Sequence, residues 1–303
     1  MKKLQIILLM TVSLFLLSTI VYSQEKYGLV IIAHGSPAPQ WNEPVLKIER
    51  EVKTIISQKG NNQFSAIRVA FMEFNEPSIN TVIEDFENIG IDKVYAIPLL
   101  IAPSGHSLFD IPTILGLYSA IDILNEIKSE GTNIVNTKMK ITIGPTLNNS
   151  DILKNSILDR VKELSTTPDS EGVVLLAHGD KHFEPIWASM CREIGYYVCS
   201  KTGIEYFDFA FVEVGQSFAT EGVSTILKST GKKEKIIVVG LYLSMGVERM
   251  ANTSASFMMG KKTETKKLFA NKNIRFAKRG ILPDKRISEW ISEIAIEWVE
   301  GLP

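Results

Sequence analysis

The sequence predicts an α/β protein of two similar domains, each a parallel sheet flanked by helices. Three observations predict it. The stretch Gly28-Leu-Val-Ile-Ile-Ala-His34-Gly35-Ser36 recurs as Gly172-Val-Val-Leu-Leu-Ala-His178-Gly179-Asp180, its two histidines 144 residues apart, and a repeat of that length is a duplicated domain rather than a solenoid unit. Each copy is a run of Val, Ile and Leu ending abruptly in Ala-His-Gly, the pattern of a strand buried on both faces. Strand-like runs then alternate with helix-period stretches through both halves, which predicts parallel strands joined by crossover helices. A chain of 303 residues is long enough for two such domains, each with its own core.

In chain order, strand 28–34 leads to a helix near 43–59, where Val45, Ile48, Val52, Ile55 and Ile56 share a face. Ser65–Met72 reads as the second strand, ending at Glu73. Pro77 opens a helix reaching about Ile89, and Gly90 closes it. Lys93–Ile101 is the third strand, followed by Ala102-Pro-Ser-Gly105-His106. A helix begins near Pro112, with Asp110 as its expected N-cap. Strand 138–143 and helix 152–164 complete the first half. The polar segment 165–172, which contains Pro168, marks a boundary near residue 168. The second half replays the order: strand 172–178, helix 184–201, strand 205–212 with Glu213 beyond it, helix 218–229, strand 235–243 and a later strand near 274–278. A last helix follows at 285–300, with Ile287, Trp290, Ile291, Ile294 and Trp298 in one stripe. Helix 152–164 is its expected counterpart. The domains are therefore expected at 24–168 and 169–303.

A formal net charge of −1, with 45% hydrophobic and 22% charged residues, is ordinary globular composition. It gives no reason to expect nucleic acid as a partner. Met1-Lys2-Lys3 followed by an apolar run from Leu4 to Ile20 and a small residue at Ser23 has the form of a signal peptide, residues 1–23. The mature protein is accordingly expected to be exported to the periplasm, or held as a membrane anchor if the segment is uncleaved. Cys191 and Cys199 lie on one predicted helix, eight residues or about 12 Å of rise apart. A disulfide needs Cα atoms closer than about 7 Å, so they are expected to stay unbonded, as packed thiols.

Chemistry is expected at the histidines. The chain has four, His34, His106, His178 and His182, all in or beside repeated positions. His34, Glu73 and His106 each follow a strand of the first half, and in a parallel sheet those ends converge on one edge. Two imidazoles and a carboxylate make a first shell for a divalent transition metal. Glu73 has a second use, as a base removing a proton from a ligand. Gly35 and Gly105 fit positions where the backbone turns tightly or a ligand comes close. Taken singly, His34 also fits a hydrogen-bonded loop residue, and Glu73 and Glu76 fit helix caps.

Leu29-Val-Ile-Ile-Ala-His34-Gly35-Ser36, then Phe71-Met-Glu73 with Pro77-Ser-Ile, then Pro98-Leu-Leu-Ile-Ala-Pro-Ser-Gly105-His106 with Asp110-Ile-Pro112, resemble in order the class II chelatases of the CbiX/sirohydrochlorin chelatase type. The resemblance covers the first domain and, more weakly, the second. It implies insertion of Co2+ or Fe2+, sometimes Ni2+, into a sirohydrochlorin-type tetrapyrrole bound in a cleft between two similar lobes. The divalent ion is then a substrate, and no organic cofactor is implied. His34 and His106 would hold the metal or the substrate's centre, and Glu73 would help to take the pyrrole protons. The implied partners are the tetrapyrrole and, transiently, a protein delivering metal or tetrapyrrole, for a monomer or homo-oligomer.

The chain departs from the pattern in two places. His178 and Glu213 repeat His34 and Glu73, but Leu241-Tyr-Leu-Ser-Met-Gly246 is followed by Val247, not histidine. The second domain is therefore expected to carry a degenerate site and to form the other wall of the cleft. His182 reads as polar surface. Met245, Met250, Met258 and Met259 fit either an apolar face for a macrocycle or, more commonly, core packing. The second departure is the leader, because the family's usual substrate is made in the cytoplasm. Three readings follow: an exported chelatase, an exported non-catalytic protein binding tetrapyrrole, haem or metal on the same fold, and a metal-dependent hydrolase sharing only the sheet-edge site. The complete His34–Glu73–His106 set favours the first.

Overall fold

A computed structural model describes residues 25–148, 150–213, 215, 217–252 and 268–302. The expected leader, with Met258 and Met259, lies outside the described residues. Among those described, no helix is long and apolar enough to cross a membrane.

The first half forms β1 (Tyr27–Ala33), α1 (Pro39–Gln58), β2 (Phe64–Phe71), α2 (Ile79–Asn88), β3 (Lys93–Pro98), α3 (Ile111–Ile114), α4 (Ile121–Ser129), β4 (Lys140–Ile143) and α5 (Ser150–Leu164). The second forms β5 (Glu171–Ala177), α6 (Glu184–Thr202), β6 (Tyr206–Phe211), α7 (Val223–Thr230), β7 (Lys235–Leu241), α8 (Val247–Asn252), β8 (Ile274–Phe276) and α9 (Lys285–Glu300). The strands make two four-stranded sheets, ordered β2-β1-β3-β4 and β6-β5-β7-β8, with every pairing parallel. The chain is thus the duplicated, two-lobed α/β protein that the repeat predicts.

The apolar runs form central strands because both of their faces are covered. Leu29, Ile31 and Ala33 point into a core shared by the two lobes, whereas Val30 and Ile32 enter a separate core of the first lobe. Local boundaries differ in places. Ser78 caps α2, its side chain accepting from the Thr81 N–H, so that helix starts at Ile79 and not at Pro77. β3 stops at Pro98, which cannot donate to a ladder. In place of one helix from Pro112 there is a wide turn at 106–110, the short α3 and a separate α4. Cys191 and Cys199 are unbonded on the continuous α6, and burial pushes the Cys191 thiol up to about 12.

One feature of packing is absent from the linear pattern. The helix closing each half lies on the other half's lobe: α5 packs against α6 and β7, and α9 packs against α1 and β3. Trp298 of α9 stacks on Tyr95 of β3, with ring centroids 4.9 Å apart. Buried Arg160 of α5 donates to the Gly280 and Ile281 carbonyls ahead of α9, each at 2.9 Å. Residue 168 separates two sheets along the chain, but the exchanged helices bind the lobes into one body.

Candidate metal centre

The ladder between β1 and β2 continues two residues beyond the strands. The Met72 N–H donates to Ala33 O at 2.9 Å, and the Glu73 N–H donates to His34 O at 3.0 Å. This extension sets Glu73 beside His34. It also forces glycine at position 35, which has φ +94° and where an added Cβ would stand 2.1 Å from Glu73 O. Gly105 has ordinary right-handed helical angles, and a Cβ there would meet nothing within 4 Å. Of the two reasons the sequence offers for a glycine at 105, a tight turn is therefore excluded, which leaves close approach of a ligand.

His106 opens the wide turn at 106–110, closed by the Ile111 N–H donating five residues back to His106 O. Such turns recur at functional sites because they rotate side chains out of helical register. Here the turn brings Asp110 Oδ2 to 2.6 Å from His106 Nδ1. Asp110 does not cap the helix; its backbone is already helical and its side chain makes no capping hydrogen bond. The expected N-cap is thus corrected: with no exposed helix start to cap, the carboxylate turns to the imidazole. The four-residue spacing of His106 and Asp110 was the available signal.

His34, Glu73 and His106 each offer a ligand atom, and these atoms all lie within 4.8 Å of one another. Two ligands at about 2.1 Å on opposite sides of an ion stand ~4.2 Å apart, so the three groups are held near ligating separation. Among the described residues this is the one cluster of three metal-capable side chains. The two rings meet edge to face, with centroids 4.9 Å apart. His34 Nδ1 is 3.0 Å from its neighbour's carbonyl, Gly35 O. Each Nδ1 therefore faces an oxygen acceptor and carries the proton, which leaves each Nε2 lone pair free for a metal.

The two imidazoles differ electrostatically. The hydrogen bond to Asp110 holds the His106 pKa above the usual histidine value, against the opposing effect of burial. Burial pushes His34 below that value, partly offset by its bond to Gly35 O, and neighbouring His106 pushes the same way as burial. Metal binding must displace the proton from His106, so it weakens as pH falls through that raised pKa. Asp110→Asn is expected to lower Co2+ affinity about 10- to 100-fold well above that pKa, the usual cost of losing a carboxylate behind a ligating histidine. It is also expected to move the midpoint of the pH–affinity curve downward, because the proton now leaves His106 at lower pH. Titration of Co2+ absorbance between pH 5 and 9 checks both.

The second lobe repeats the strand-end geometry but does not complete it. The Val212 N–H donates to Ala177 O and the Glu213 N–H to His178 O, as in the first lobe. The left-handed residue, however, is Phe74 in the first copy and Glu213 itself in the second, one position earlier. Glu213 is exposed, whereas Glu73 is half-buried. After β7 the chain has no third ligand: Val247, fully buried at the start of α8, follows Gly246 as His106 follows Gly105. Met250 is buried in the core and Met245 packs against it, while His182 is exposed. A cavity of about 520 Å³ lined by Asn80, Glu84, Lys128 and Asn133 contains none of the three ligands, so cavity volume does not mark the site. Apolar side chains adjoin the three ligands instead: Phe74 lies 6.1 Å from the His34 ring, and Leu108 and Phe109 follow His106, all three exposed.

Residues 28–164 match the CbiX family model. The sirohydrochlorin cobaltochelatase of Methanosarcina barkeri is 37% identical over 93 residues, which is 31% of this chain and 67% of that protein. The sirohydrochlorin cobaltochelatase of Priestia megaterium is 25% identical over 234 residues, covering 77% of this chain and 70% of that protein. The match covers 62% of the corresponding Methanococcus maripaludis protein, less than two thirds of its length. Among solved structures, SirB from Bacillus subtilis with Fe3+ shares the fold at a TM-score of 0.61 and 18% identity, over 90% of this chain and 95% of that one. The segment 28–164 matched by the family model contains His34, Glu73 and His106, and with a relative 37% identical over 67% of its own length the chain belongs to the CbiX family of class II metal chelatases.

Proposed function

We propose that the protein inserts a divalent metal ion, Co2+ or Fe2+, into a sirohydrochlorin-type tetrapyrrole presented to the edge of the first sheet, facing the second lobe. The observation that carries this reading is the convergence of two imidazoles, each with Nε2 unengaged among the described residues, and one carboxylate within 4.8 Å. The exposed Phe74, Leu108 and Phe109 supply apolar surface suited to the face of a macrocycle.

Insertion exchanges one M2+ for two protons. The His34 and His106 Nε2 atoms hold the ion while the macrocycle docks. Glu73 accepts one pyrrole proton as the first metal–pyrrole bond forms. As the ion passes to the macrocycle the imidazole lone pairs are released, and one of them takes the second proton. His106 is the better acceptor, since Asp110 raises its proton affinity while burial lowers that of His34. Proton release to solvent resets the site.

The test is anaerobic incubation with sirohydrochlorin and either ion, followed by the absorbance change on metallation. Insertion by the wild type that is lost in both His34→Ala and His106→Ala is the expected result. Tight tetrapyrrole binding with no insertion above the uncatalysed rate would overturn the enzymatic reading in favour of a carrier.

A further inference from the structure

The duplicated stretches diverge at one polar position, where Ser36 of the first copy is matched by Asp180 of the second. In both copies this side chain accepts from the N–H two residues on. Ser36 Oγ accepts from Ala38 N at 3.1 Å, and Asp180 Oδ1 accepts from His182 N at 2.8 Å. Aspartate has a second oxygen, and Asp180 Oδ2 accepts the Gly105 N–H of the other lobe at 3.0 Å. Nearby, buried Trp187 at the start of α6 donates from Nε1 to Pro103 O, also at 3.0 Å. The two backbone groups bonded by the second lobe thus sit immediately ahead of His106, one and three residues before it. Within the same segment Ser104 and Ser107 bond each other, with the Ser104 N–H donating to Ser107 Oγ at 2.9 Å. The segment is therefore held from inside by its own turn and from outside by the second lobe.

We infer that Asp180 and Trp187 are positioning residues for the metal site: the second copy's degenerate strand end has become a clamp that fixes the loop carrying His106. This rests on His34, Glu73 and His106 being the metal centre. The physical reason is the loop's length. β3 ends at Pro98, so His106 stands eight residues beyond its strand, whereas His34 directly follows Ala33 and Glu73 is held by its own ladder bond. Of the three ligands, His106 is the one whose backbone needs support from outside its sheet. Contacts that orient a ligand command about 10- to 100-fold in metal affinity.

Asp180→Ser is the informative variant, because it restores the first copy's residue, which keeps the bond to the N–H two residues on and lacks the reach to Gly105. Co2+ binding is followed by its visible absorption bands, which report coordination geometry, with circular dichroism confirming the fold. The expected result is tenfold or more weaker binding with displaced bands for Asp180→Ser, and the same direction of change for Trp187→Phe, which removes the donor without altering charge. Wild-type affinity and bands in Asp180→Ser would overturn the inference. Weaker binding with unmoved bands, together with wild-type behaviour of Trp187→Phe, would assign the effect to the carboxylate's charge and also overturn it. Should Asp180→Ser fail to fold, Trp187→Phe alone decides by its bands. A wild type that binds no Co2+, or binds it unaffected by His34→Ala and His106→Ala, would instead refute the metal centre and the clamp with it.

Discussion

Glu73→Gln is expected to slow metal insertion about 10²- to 10⁴-fold, the range a positioned general base contributes. Co2+ binding should weaken far less. Glutamine keeps the size of the side chain and one oxygen that can still face the ion, and the two Nε2 donors are untouched. What it removes is the ability to accept a proton at the moment a pyrrole nitrogen becomes a metal ligand. Glu73 is placed for that role by backbone, through its N–H bond to His34 O, and among the described residues its side chain takes part in the metal cluster rather than in a structural hydrogen bond. Single-turnover absorbance at saturating Co2+, beside a Co2+ binding titration, separates the two functions. An unchanged insertion rate would remove Glu73 from proton transfer, and equal losses in binding and rate would make it a ligand only.

The contrast between the lobes gives this prediction its specificity. Glu213 occupies the equivalent ladder position, but it takes the left-handed conformation itself and its side chain is exposed. It has no second histidine across from it. Glu213→Gln should therefore leave insertion unaltered, which makes it the matched control for Glu73→Gln within the same chain.

Much of this was legible in the residues. A parallel sheet places strand ends on one edge, so three strands ending in His34, Glu73 and a loop to His106 imply convergence before any coordinate is known. Amphipathic periodicity shows that helices 150–164 and 285–300 have an apolar face, but not which sheet covers it. Their exchange between lobes was therefore invisible, and it is fixed only by long-range contacts such as Trp298 on Tyr95 and Arg160 on the Gly280 and Ile281 carbonyls. Asp110 reads as a cap in the sequence for a related reason. Aspartate two residues before Pro112 matches a cap in sequence, and only the wide turn reveals that no helix start is exposed there. Asp180 was visible as a difference between repeats, but the carboxylate's partner lies 75 residues away.

Glu171→Ala is expected to cost about 3–5 kcal/mol of stability, the usual penalty for breaking a buried ion pair by removing one partner. Glu171 is fully buried at the start of β5, opposite Lys235 of β7, and its carboxylate pairs with the Lys235 ammonium, itself 4% exposed. The same carboxylate accepts from the Thr166 and Thr167 N–H groups at 2.8 and 2.9 Å and from Ser165 Oγ. Removing it leaves the buried Lys235 ammonium without its counter-charge, bonded among the described residues only to Thr166 Oγ1 at 2.7 Å, and takes the acceptor from three donors of the inter-lobe segment. These bonds, led by that to Lys235, outweigh the burial that would raise its pKa and hold the carboxyl down at about 2 against a usual 4.5. The sign follows from linkage: because the folded pKa is depressed, the contribution is complete above pH 4.5 and is lost as pH falls towards 2. A shift of that size corresponds to about 3 kcal/mol, in agreement with the mutational range. Urea unfolding at pH 7 and pH 3 tests both parts. The variant should be markedly weaker at pH 7, and the gap to wild type should narrow at pH 3. A constant gap would mean that the loss is one of packing rather than of charge. Replacing both partners, Glu171→Leu with Lys235→Met, should recover the part of the loss due to the stranded charge, while the Thr166 and Thr167 N–H groups stay without that acceptor.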